Sequence, residues 1–425
     1  MPSLKRRLRG IALFEQLGPG LVTGAADDDP SGIATYSQAG AQFGFGMIWT
    51  LVLTYPLMSA IQLISARIGR VTGKGLAANI AGVLPKPVVN GLVALLFVAN
   101  TINIGADLAA MGEAARLVTG FGQHIFTVAF ALLSLTLQLF IPYKRYANVL
   151  KWLTLVLLAY VAVVFMAQVD WGAAAGGLIP TRAALTRDGV VTIVAIFGTT
   201  ISPYLFFWQS AQEVEEVEQD DAAEPLRQAP KQARPAFRRM RIDTFAGMAV
   251  SNLIAIAVVI STAATLHAHG VTQIKTAADA ANALRPVAGP FAFALFSLGI
   301  IGTGLLAVPV LAGSAAYAVG DTRDWSCSLD SKPWEAVGFY SVIGAATLLG
   351  LAIDWSPIDP MQALFWSAVL NGVIAVPMMG AMMLVASRPR QMGRFTAGPV
   401  MTVLGWVATA VMAVAVAALA VTSFR

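Results

Sequence analysis

Three consecutive aspartates, Asp27, Asp28 and Asp29, stand inside an otherwise apolar stretch at 17–44, and Pro30, Ser31 and Gly32 follow at once. An unpaired carboxylate in hydrocarbon costs several kcal/mol and persists only beside a cation, water or a partner. Proline removes a backbone donor and glycine admits dihedrals closed to other residues, so DPSG within an apolar run reads as a helix break. A break frees carbonyl oxygens and helix-end dipoles at membrane depth, which is tolerated only around a cavity or an ion. A plainer reading has the aspartates capping a shorter span at the water interface. Against it, the preceding GPGLVTGAA is too short to cross alone, and apolar character resumes at Ile33.

A counterpart lies in the second half. Gly198-Thr199-Thr200-Ile201-Ser202-Pro203 interrupts an apolar run from Val190 to Trp208, and its hydroxyls can satisfy freed backbone groups or coordinate a cation. Pro30 and Pro203 each open a set of five apolar spans. Paired interruptions at matching positions of two halves are the sequence pointer to an inverted-repeat transporter with its site at the midplane.

The elements that must hold these breaks follow from composition. Of 425 residues, 57% are hydrophobic and only 12% charged, with a mean hydropathy of +0.70. Soluble chains carry about 25% charged residues. This excludes a soluble enzyme, a disordered chain and a nucleic-acid binder, and the partner of such a chain is the lipid bilayer. Eleven apolar runs lie near 17–44, 46–68, 88–118, 122–141, 149–168, 189–212, 242–267, 288–319, 335–353, 359–386 and 398–422. With the N-terminus cytoplasmic, 22 of the 28 Lys and Arg fall on the cytoplasmic side and 6 opposite. That asymmetry predicts a retained cytoplasmic N-terminus, an outer C-terminus and a multi-pass protein of a bacterial-type plasma membrane. The expected divisions are a tail at 1–16, five-span repeats at 17–168 and 189–386, and an eleventh span with the C-terminus at 398–425. The one long polar connection, 213–241, opens with EVEEVEQDD and reads mainly as solvated surface, with an acidic funnel for cations as the sharper alternative.

The blocks GPGLVTGAADDDPSGIATYSQAGAQFGFG, LISARIGRVTGKGLA, ADLAAMGEAA and FGTTISPYLFFWQS resemble the NRAMP family of divalent-metal transporters. The resemblance implies an all-α LeuT-like fold of 5+5 spans plus an eleventh helix. It also implies an ion site from an Asp-Pro-Gly-Asn motif in span 1 and an Ala-x-x-Met-Pro-His motif in span 6, with proton coupling. Carried over, the ligand positions are Asp29, Gly32 in place of asparagine, the Thr199 carbonyl, and Ser202 in place of methionine. Tyr204 stands where the family has histidine, and Ala110 replaces one of two acids in span 3, where Asp107 is kept. Span 9 lacks the family's paired arginines. Asn371 lies near the position where family members offer an amide from span 10.

These departures share a direction. Sulfur favours softer metals, whereas carboxylate, carbonyl, hydroxyl and water suit Mg²⁺, Ca²⁺ and Mn²⁺. Mg²⁺ keeps several waters, and shortening Asn to Gly and Met to Ser leaves room for them. The pattern therefore resembles the NRAMP-related magnesium transporter branch. The expected function is import of partly hydrated Mg²⁺, possible Mn²⁺ transport included, with weak or no proton coupling. The alternatives are a proton-coupled Mn²⁺/Fe²⁺ symporter and, in another class, an organic-solute symporter on the same fold; three adjacent aspartates oppose an anionic substrate. No cofactor, obligatory protein partner or catalytic constellation is evident.

Other candidates carry less. His267 and His269 read as a solvent-facing pair at a helix end, and His124 as a loop residue. Glu113 reads as water-facing at the end of span 3, and Met378, Met379, Met382 and Met383 as packing. The single cysteine, Cys327, permits no internal disulfide.

Overall fold

The computed structural model describes residues 23–24, 26–142, 145, 150, 152–325, 327–329 and 331–423. The expected tail at 1–16, the first part of span 1, most of 143–151 and Arg425 lie outside the described residues.

Among the described residues, the regular structure is helical. The principal helices are α1 (Pro30–Phe43), α2 (Ile48–Thr72), α3 (Lys86–Thr119), α4 (Gln123–Phe140), α5 (Leu158–Met166), α6 (Arg187–Thr200), α7 (Pro203–Gln219), α8 (Ala233–Thr265), α9 (Ala292–Asp321), α10 (Val337–Leu351), α11 (Pro360–Ala386) and α12 (Pro399–Ser423). Among the described residues, nine helical runs are long and apolar enough to cross a membrane, judged by length and composition. One of them, Pro30–Thr72, contains both α1 and α2, and the run Leu153–Met166 is shorter, so helix is found in each of the eleven expected spans. Gly44 separates α1 from α2 at φ 57°, a backbone region that favours glycine.

Both sequence breaks are present. A helical turn ends at Asp27, the chain bends at Asp28, and α1 starts at Pro30 with Asp29 as its N-cap. α6 ends at Thr200, and α7 starts at Pro203 after Ile201 and Ser202 leave helical geometry. The missing proline N–H costs nothing at a first helical position, so each proline restarts a helix rather than kinking one.

Small residues set how closely the broken spans are held. A Cβ on Gly198 would lie 2.5 Å from the Gly372 nitrogen, and one on Gly24 would lie 2.5 Å from the Gly247 carbonyl. α6 therefore packs backbone-to-backbone on α11, and the turn before the first break does the same on α8. Helices in lipid associate through this kind of contact, because burying apolar side chains gains little there.

The acidic run is solvated surface only in its second half, where Glu218, Asp220 and Asp221 are exposed. α7 continues to Gln219, and Glu213 and Glu215 are buried. The helical repeat places Glu213 and Glu216 on one side, where Arg239 of α8 pairs with both, at 2.8 Å to Glu213. Glu215 faces another way and accepts hydrogen bonds from Tyr317 and, at 2.9 Å, from the Leu329 N–H. After α7 the chain is tied to the end of α2, the Leu226 and Arg227 N–H groups donating to the Arg70 and Val71 carbonyls. Glu113 is likewise not water-facing. It is 4% exposed because α3 runs six residues past it, and it meets the Ala277 N–H and Arg116.

Arg239→Gln would leave Glu213 buried without its cation, a loss on the order of 3 kcal/mol. The expected outcome is a lowered midpoint of thermal unfolding in detergent, largely recovered by adding Glu213→Gln.

Candidate cation site

The two breaks meet. Tyr204, in the first turn of α7, donates its hydroxyl to the Ala26 carbonyl at 3.1 Å, across the break in span 1. A Cβ on Gly32 would lie 3.2 Å from Thr199 Oγ1 and 3.3 Å from the Tyr36 ring. Thr199 and Tyr36 therefore crowd position 32, where a side chain of any size would press on both.

Asp29 is at the centre, 1% exposed. Its Oδ1 accepts from the Ser31 hydroxyl and the Gly32 N–H, both at 2.7 Å, and so caps α1. Its Oδ2 accepts from Asn103 Nδ2 at 3.3 Å and lies 3.4 Å from the Tyr204 hydroxyl, whose single hydrogen it shares with the nearer Ala26 carbonyl. The short bonds to Oδ1 fix the carboxylate, and the long ones leave Oδ2 as the oxygen that a cation can take over.

Ser202 does not turn its hydroxyl away from the backbone. It lies 2.8 Å from both the Gly198 and Thr199 carbonyls and satisfies the open end of α6. Asn371, in α11, is 1% exposed, and neither atom of its amide has a hydrogen-bond partner. It follows Ser367 by one turn on the same helix face, and Ser367 contacts Asn103 at 2.7 Å. The structure thus joins Asp29, Gly32 and Thr199 directly, places Ser202 at the same break, and puts Asn371 in the helix that packs on both breaks.

A divalent cation suits this setting. A buried amide with no partner carries a desolvation penalty that an ion would offset. The donor types are a carboxylate, hydroxyls, amide oxygen and helix-end carbonyls, suited to hard cations. Among the described residues, no group of three or more His, Cys, Asp or Glu is placed to hold a metal, so the charge would rest on Asp29 with neutral oxygens completing the shell.

Other groups lie around it. Asp107 of α3 is fully buried with neither oxygen hydrogen-bonded. Asp27 and Asp28 share the Ser251 hydroxyl of α8, at 2.6 and 3.0 Å. Sequence reasoning missed Asn103 and Ser251. Asn103 could have been found from its spacing, one helical turn before Asp107 on a shared face, whereas Ser251 carries no local signal. His267 and His269 bond to the Ala41 and Thr265 carbonyls, and His124 contacts Asp354 at 2.5 Å, all away from the breaks. Burial, with Asp321 nearby, pushes the Cys327 thiol up to about 12, so it supplies no thiolate at neutral pH. Met378, Met379, Met382 and Met383 of α11 are fully buried in the apolar core.

Because the single Ser202 hydroxyl hydrogen is shared between carbonyls at the open end of α6, Ser202→Ala should cost about 1 kcal/mol in stability. Thermal unfolding checks this, and an unchanged midpoint would show that water replaces the hydroxyl.

The match to known proteins spans nearly the whole chain. Residues 20–422 match the family model described as natural resistance-associated macrophage protein-like. The divalent metal cation transporter MntH of Deinococcus radiodurans is 26% identical over 415 residues, covering 95% of this chain and 88% of the relative. MntH of Yersinia pestis is 29% identical over 310 residues, 71% of each chain. The crystal structure of a manganese transporter from Eremococcus coleocola aligns with a TM-score of 0.71 at 17% identity, over 94% of this chain and 85% of that one. MhsT in complex with L-phenylalanine aligns with a TM-score of 0.61 at 12% identity, over 95% and 98%. The fold is the LeuT-like one, all-helical with broken first and sixth spans.

Proposed function

The chain belongs to the natural resistance-associated macrophage protein-like family, and on that premise we propose that it carries a divalent metal cation through the junction of its two broken spans. The observation that carries the reading is Asp29, a buried carboxylate held at a helix break by neutral donors, with the unpartnered amide of Asn371 in the adjacent helix. Asp29, Gly32 through its backbone, Thr199, Ser202 through the carbonyls it orders, and Asn371 form the proposed cation-binding set. The two MntH relatives are divalent metal cation transporters, which favours this reading over the organic-solute one. The same proposal includes the two five-span repeats at 17–168 and 189–386, a bacterial-type plasma membrane, and a cytoplasmic N-terminus.

Two readings of the ion remain distinct. We put a proton-coupled carrier of Mn²⁺, with Fe²⁺ as a further substrate, first. Thr199 and Tyr36 crowd the side of Gly32, which favours direct oxygen ligands over retained water, and Mg²⁺ sheds its water reluctantly. Asp107 supplies a buried carboxyl for the proton. The second reading is import of partly hydrated Mg²⁺ with weak or no coupling, favoured by the absence of sulfur at Ser202, of histidine at Tyr204 and of an acid at Ala110.

Asp29→Ala should reduce divalent uptake into sealed proteoliposomes at least a hundredfold while the protein still inserts and elutes as a single species. Near wild-type uptake by that variant would remove the site from consideration. Wild-type vesicles should take up Mn²⁺ in preference to Mg²⁺ and acidify inside as they do so. Mg²⁺ uptake with constant internal pH would establish the second reading.

A further inference from the structure

Asn103 connects three helices at the site, and its hydrogen bonds do not close in one arrangement. It is fully buried in α3. Its Nδ2 lies 3.3 Å from Asp29 Oδ2, and its Oδ1 lies 2.7 Å from the Ser367 hydroxyl of α11. That hydroxyl lies equally close, 2.7 Å, to the Leu364 carbonyl in its own helix. A serine hydroxyl has one hydrogen and cannot donate fully to both oxygens. If it donates to Asn103 Oδ1, the amide N–H₂ faces Asp29 and the carboxylate is satisfied. If it donates to Leu364, its lone pairs face Asn103, and the amide fits better turned over, Nδ2 to Ser367 and Oδ1 toward Asp29. The second arrangement brings two oxygens together at Asp29 and is stable only with a cation between them.

We propose that Asn103 is an ion ligand of this chain, its amide turning to present Oδ1 beside Asp29 when the cation arrives. The turn exchanges one hydrogen-bonded arrangement for another, so neither state leaves Ser367 or the amide unpaired. The residue also supplies, from α3, an amide oxygen of the kind that Gly32 cannot offer from α1. This rests on the reading of Asp29 as the central ligand, and it adds a neutral oxygen to a shell that needs several around one carboxylate.

The test separates an oxygen ligand from a donor that only positions Asp29. Asn103→Asp keeps an oxygen and removes the N–H donor, whereas Asn103→Leu removes both. Mn²⁺ binding to purified full-length protein is measured by isothermal titration, with wild type and Asp29→Ala alongside. A ligand role predicts that Asn103→Leu binds about tenfold more weakly, while Asn103→Asp binds as tightly as wild type or more so. Equal weakening in both variants, or no weakening in Asn103→Leu, would overturn the proposal. Should Asn103→Leu fail to fold, Asn103→Asp against wild type decides alone, since a lost donor beside Asp29 would weaken binding at least fivefold. Loss of binding in wild type, or its retention in Asp29→Ala, would instead defeat the reading on which the proposal rests.

Discussion

A carboxylate that is 1% exposed in the middle of an apolar helical protein is the constraint around which the rest is arranged. Asp29 is tolerated because the chain is broken there. The start of α1 offers the Gly32 N–H and the Ser31 hydroxyl to one oxygen, while Asn103 and Tyr204 reach the other from α3 and α7. Each donor comes from a position that an unbroken helix could not provide or from a neighbour packed close enough to reach. Removing the break would bury the charge without compensation, at a cost of several kcal/mol.

Close approach is what lets the donors reach. Gly198 against Gly372, and Gly24 against Gly247, bring broken segments onto continuous helices with no side chain between them. At the other end of α7, Glu213 and Glu216 with Arg239 tie it to α8, and Glu215 with Tyr317 ties it to α9. α7 thus begins beside the proposed cation site and ends where Glu213 pairs with Arg239.

Much of this was legible in the sequence. DPSG and GTTISP announced both breaks, because proline and glycine act locally, and the eleven apolar runs announced the helices. The solvated reading of EVEEVEQDD holds for Glu218 to Asp221 but not for Glu213 and Glu215, whose partners, Arg239 and Tyr317, come from elsewhere in the chain, and charge pattern alone does not show whether a helix face is covered. The crowding at Gly32 is hidden in the sequence for the same reason: Thr199 approaches it from a segment 167 residues away. Asn103 went unread because an asparagine in a long apolar helix shows its purpose only when Asp29 and Ser367 are seen on either side.

The central claim is that one cation sits where the two breaks meet, on Asp29. An anomalous difference map from crystals grown with Mn²⁺ tests it most directly. The account predicts one strong peak within coordination distance of Asp29 Oδ2, on the side facing Thr199 and Asn371. A peak at Asp27, Asp28 and Ser251 instead, or none near Asp29 in crystals whose protein binds Mn²⁺ in solution, would contradict it.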